Sequence, residues 1–119
     1  MNRRKNGMIR LEMINIRTAG IIEAEKVFDI CRQMFQSIAD EKLLKLTVFC
    51  DARYATDISV HLQWKSDSGS GSILGRMLSS ALGDLGLVSH TLWIEQEEVI
   101  TGAESELVSG KTALSMTKP

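Results

Sequence analysis

Two stretches near the middle of the chain alternate apolar and polar side chains with a period of two. Leu44, Leu46, Val48, Cys50 and Ala52 alternate with Lys45, Thr47, Asp51 and Arg53, and Ile58, Val60, Leu62 and Trp64 alternate with Ser59, His61, Gln63 and Lys65. Such alternation predicts strands with one face buried and one face wetter. The break around Ala55-Thr56-Asp57 folds the two strands into a hairpin. A one-residue slip would turn Ile58 and Val60 to the wrong side. Two registers keep the faces matched, one with Asp51 opposite His61 and one with Phe49 opposite His61. The first leaves the shorter loop and is preferred.

The rest of the chain arranges itself around this hairpin. From Met8 to Arg17, Ile9, Leu11 and Met13 share one face and Ile14 and Ile16 the other, the pattern of a central or doubly covered strand. From Ile21 the spacing changes to three and four residues, through Ala24, Val27, Phe28, Cys31, Met34, Phe35, Ile38 and Ala39. That is an amphipathic helix, with Thr18 or Gly20 as its cap and Asp40 to Lys42 as its end. After the hairpin comes a small polar connector, Ser66 to Ser72, in which Ser70 or Ser72 caps a second helix. The apolar stripe of that helix runs from Ile73 to Leu85, and Gly86 takes the place of a C-terminal glycine. Leu87 to Glu95 alternates again, with Val88, His90, Leu92 and Ile94 on one face and Ser89, Thr91 and Trp93 on the other.

The order strand, helix, strand, strand, helix, strand predicts an α+β fold, the ferredoxin-like βαββαβ arrangement. Four antiparallel strands carry both helices on one face. The domain spans residues 8–98, with a basic arm at 1–7 and a mobile tail at 99–119 that holds a short helix or strand near Ala103 to Val108. Two helices cover one side of a sheet only. Glu12, Ile14, Ile16, Phe49, His61 and Trp93 are expected on the other side, which makes Ile14, Ile16, Phe49 and Trp93 a dimer interface: so apolar a patch calls for a cover, and a second copy is the simplest.

Composition narrows the partners. A length of 119 residues suits one domain, and a net charge of -1 gives no electrostatic reason for a nucleic-acid partner. No apolar run is long enough for a bilayer and no secretory signal follows the basic start, so a cytoplasmic protein with no membrane partner is expected. Cys31 and Cys50 fall on apolar faces, as buried thiols or as a pair close enough to bridge.

The repeated strand–helix–strand plan, the half-apolar open face and the segment His61-Leu-Gln-Trp-Lys-Ser-Asp67 resemble the dimeric α+β barrel superfamily. Within it, the small antibiotic-biosynthesis-monooxygenase-like proteins carry a Trp at the end of the third strand followed by a short polar turn, the place of Trp64 to Asp67 here. The resemblance implies a homodimer with sheets face to face, a small-molecule cavity between sheet and helices, and a cofactor-free, monooxygenase-like activity on a small apolar ligand. The alternative is a non-catalytic ligand-sensing or assembly module.

Candidate chemistry is sparse. His90 points toward the helices, either as a core histidine bonded to a carbonyl or helix end, or as a proton-transfer group in a pocket. Trp64 and Arg76 are the expected pocket neighbours. Ser70 and Ser72 lie where backbone N–H groups at a helix start cradle an anion, or simply cap the helix. Asp51 beside His61 forms a second candidate acid–base pair. Only two histidines are present and they fall on opposite faces, so no metal site is expected. The stripe of Gly75, Ser79 and Gly83 marks close helix packing or space for a ligand.

Overall fold

The structure is a computed structural model that describes residues 9–38, 41–65, 72–100 and 113–117. Its elements are β1 (Ile9–Thr18), α1 (Ile21–Ser37), β2 (Leu43–Cys50), β3 (Asp57–Lys65), α2 (Ile73–Leu82), β4 (Gly86–Ile94) and β5 (Ala113–Thr117). The first six follow the βαββαβ order. The first four strands pair antiparallel in the spatial order β4-β1-β3-β2, the ferredoxin-like α+β arrangement. Both helices lie on one face, where Val27 and Cys31 of α1 and Leu78 and Leu82 of α2 are buried with Val48, Val60 and Leu62 of the sheet.

The two faces of β1 are divided as its alternation requires, but the face turned to the helices is the opposite of the one expected. Ile14 and Ile16 are 0% and 2% exposed, opposite Val60 and Ile58 of β3 in the core, so neither belongs to a dimer interface. Ile9, Leu11 and Met13 face the uncovered side. Both faces of this strand are apolar, so periodicity separates them without ranking them, and the carboxylate of Glu12 favours the wetter side until its partners are known.

The hairpin register differs from both expected alternatives. Thr47 stands opposite His61 and Phe49 opposite Ser59, leaving residues 51–56 as the loop. The side chain of Asp51 stays in that loop and accepts from the backbone N–H groups of Arg53 and Tyr54 at 2.8 and 2.9 Å. This Asx-type closure needs the longer loop, so Asp51 and His61 are not neighbours. At the other end an irregularity between Leu43 and Lys45 displaces Leu44, and Leu43 takes the core position opposite Trp64.

Two more expectations are corrected. The second helix ends at Leu82, with Gly83 as its cap. Gly86 instead opens β4, so close to β1 that a Cβ there would overlap the carbonyl oxygen of Arg17. The C-terminal stretch, expected as a tail, contributes β5, which pairs antiparallel with β2 from Phe49↔Ala113 to Lys45↔Thr117. The basic arm at 1–7, Ala39 and Asp40 at the end of the first helix, the connector at 66–71 with Ser70, and the segment 103–108 lie outside the described residues.

A carboxylate–imidazole cluster as the candidate functional site

Glu12 sits in the middle of β1 with 1% exposure, on the strand face that also carries Ile14 and Ile16. A buried carboxylate is costly unless hydrogen bonds satisfy its oxygens. Here both are satisfied. Oε1 accepts from Trp64 Nε1 at 2.9 Å and from Ser72 Oγ at 2.6 Å, and Oε2 lies 2.7 Å from His90 Nε2. Each partner comes from a different element. The alternation of β3 turns Trp64 inward, the start of α2 supplies Ser72, and the helix-side face of β4 supplies His90.

Ser72 has extended backbone, as an N-cap does, and its hydroxyl accepts from the backbone N–H of Gly75 at 2.7 Å. Its own hydrogen goes to Glu12. A carboxylate at a helix N-terminus is also favoured by the helix dipole. The position that a free anion would take at the start of this helix is therefore filled by the chain's own Glu12, and Ser72 serves as cap and anchor. Gly75 is what makes the approach possible, because a Cβ there would overlap the Glu12 carboxyl group. Of the small-residue stripe, Gly75 thus marks a close helix–strand contact.

The imidazole of His90 is turned inward by its Nε2 edge, while its side chain remains 30% exposed. Leu92, two residues along the same strand face and directly across from Glu12, is 40% exposed. His90, Trp64 and Ser72 come together on the helix side, with Glu12 as the group that joins them. Trp64 is 4% exposed and packed in the core. Arg76 is exposed and shares none of the hydrogen bonds that hold Glu12.

On the uncovered face His61 bonds Ser59 Oγ at 2.9 Å and packs at a tilt against Phe49, with ring centroids 4.7 Å apart and ring planes 53° from parallel. Burial pushes its pKa below the usual histidine value. Phe49 and Trp93 both lie on this face, 36% and 58% exposed, and Leu11 and Met13 stand between them across β1. A groove of about 520 Å³ crosses one end of the face, lined among others by Arg17, Phe49, Asp57, Ser59 and Leu87.

Chemically, the Glu12–His90 pair is able to accept, hold and return a proton. Glu12 itself was placed on the wrong face by sequence reasoning. The signal that finds it is a match of two anomalies: one acid on an otherwise apolar strand face and one histidine on another, since each needs a polar partner in the same core. Among the described residues, no group of three or more His, Cys, Asp or Glu is placed to hold a metal ion, and no helix is long and apolar enough to cross a membrane. Comparison with protein families, with curated proteins and with solved structures finds no match to this chain.

Proposed function

We propose that the protein is a cytoplasmic homodimer of the dimeric α+β barrel type. It binds a small, largely apolar molecule on the helix side at His90 and carries a monooxygenase-like activity. The observation that carries the dimer is the uncovered sheet face. Both helices lie on the other side, yet Trp93, Phe49 and Leu87 are 58%, 36% and 77% exposed here. A patch of this kind is more apolar than a solvated sheet face usually tolerates. A two-fold copy laid face to face covers it without any further element. The observation that supports the ligand is His90, half in the core through Glu12 and half at the surface beside Leu92.

The second reading, a non-catalytic sensing or assembly module, is favoured by the burial of Trp64 in the core. Native mass spectrometry of the purified protein separates the two. The homodimer reading predicts twice the chain mass, reduced to the chain mass by Trp93→Glu. Retained or added apolar small molecules should raise that mass in wild type and not in His90→Ala. A wild-type monomer discards the barrel assignment. A dimer whose ligand uptake ignores His90→Ala leaves the assembly module.

A further inference from the structure

We infer that the groove on the uncovered face binds a neutral, planar nitrogen heterocycle of the adenine type, read through the side-chain amide of Asn15. This site lies on the opposite face of the sheet from His90 and goes beyond the ligand proposed there.

Asn15 sits in β1, an interior strand, directly across from Ser59 of β3 on one side and Ser89 of β4 on the other. Phe49 of β2 extends the same row beyond Ser59. Residues directly opposite one another share a face, so these four side chains stand in one line, about 5 Å apart from strand to strand. All four line the groove of about 520 Å³, a size that suits a small molecule. Asn15 is half-buried. Among the described residues its amide makes no hydrogen bond, and neither of its polar atoms is sealed off from the groove.

The free amide chooses the ligand's edge. A carboxamide offers an N–H donor beside a carbonyl acceptor, and a ring edge with an acceptor nitrogen beside an N–H donor completes both bonds at once. The apolar flanks choose the ligand's shape. Phe49 on the β2 side and Leu87 on the β4 side are both exposed, which suits a flat ring set between them. The charges choose a neutral ligand. Arg17 is the one cation among the described lining residues, and its Nε lies 3.4 Å from Asp57 Oδ1, so the two charges offset each other. Asp51 Oδ2 is already held by two backbone N–H groups. A second copy laid on this face would roof the groove, so ligand and copy are tested together.

The test titrates the full chain with adenine and with 6-methylpurine, which keeps the flat ring but lacks the exocyclic N–H donor. Amide spectra and native mass spectrometry follow the binding. Adenine should bind once per chain and shift the amides around Asn15, Ser59 and Ser89. 6-Methylpurine should bind about tenfold or more weakly, the discrimination of one amide–base pair. Asn15→Leu, close to asparagine in shape, should remove that preference, and His90→Ala should leave adenine binding unchanged. Absence of adenine binding, equal affinity for the two probes, or shifts confined to the helix side overturns the inference in the wild-type protein, with no variant needed. A preference that survives Asn15→Leu overturns it as well. A dimer that takes up no adenine removes the heterocycle site and leaves the homodimer, whereas adenine bound to a monomer does the reverse.

Discussion

Glu12 and His90 meet on a diagonal. In the pairing of β1 with β4, Glu12 stands across from Leu92 and Ile14 across from His90, yet the carboxyl oxygen and the imidazole nitrogen are 2.7 Å apart. Diagonal neighbours on one sheet face are within reach of long side chains. The pair therefore ties two adjacent strands together at the point where α2 begins, and stability and chemistry at this site share one set of atoms.

Replacing Glu12 by Ala removes the acceptor of two buried or half-buried donors, Trp64 Nε1 and Ser72 Oγ. Each orphaned donor costs about 1–3 kcal/mol. Urea unfolding is expected to show a loss of about 2–5 kcal/mol, larger than that of Ser72→Ala, which loses only the cap and one donor. A loss no larger than that of Ser72→Ala would mean that water satisfies Trp64.

Gly75→Ala sets helix propensity against packing. Alanine is the better helix former by about 1 kcal/mol, but its Cβ has to displace the Glu12 carboxyl group. A net destabilisation of about 1–3 kcal/mol is expected, because overpacking outweighs propensity. Gly83→Ala, at the open end of the same helix, should stay within about 1 kcal/mol of wild type. Thermal melts of the two variants side by side decide whether the site or the helix sets the result.

His61 should make stability depend on pH. Burial lowers its folded-state pKa below the ordinary value of 6.5, so the folded protein takes up the proton less readily than the unfolded chain. Its contribution is complete above the unfolded value and is lost as pH falls through the lowered folded value. Urea midpoints should fall between about pH 7 and about pH 5, and His61→Gln should flatten that part of the profile. An unchanged slope in the variant would assign the effect to another group. The homodimer, whose proposed interface contains His61, should weaken over the same interval.

The two thiols should differ sharply. Cys31 is fully buried in α1 and burial pushes its pKa up to about 12, whereas Cys50 is only partly covered and both are free. The thiolate is the reacting form. Iodoacetamide at neutral pH should therefore label Cys50 in the native protein and reach Cys31 only after unfolding, as read by peptide mass. Rapid native labelling of Cys31 would show that α1 opens locally.

The element order and the faces of β2, β3 and β4 were legible because each strand carries one apolar and one wetter face, a contrast that burial must respect wherever the strand is placed. Trp64 and His90 were assigned to the helix side, and Phe49 and Trp93 to the uncovered side, on that ground alone. β1 lacks the contrast. Ile9, Leu11 and Met13 on one side and Ile14 and Ile16 on the other are equally apolar, so its orientation was open, and with it the place of Glu12.

The chain's own pattern of apolar and polar residues determined which segments become strands and helices and, for most of them, which side goes inward, because the period of a pattern is a local property. The tertiary structure alone decided that Glu12 is buried, that the hairpin pairs Thr47 with His61, and that Gly75 and Gly86 are needed for close approach. Those outcomes depend on partners distant in sequence. A carboxylate can enter the core only where an indole, a hydroxyl and an imidazole from three other elements arrive to receive it, and no local spacing records that arrival.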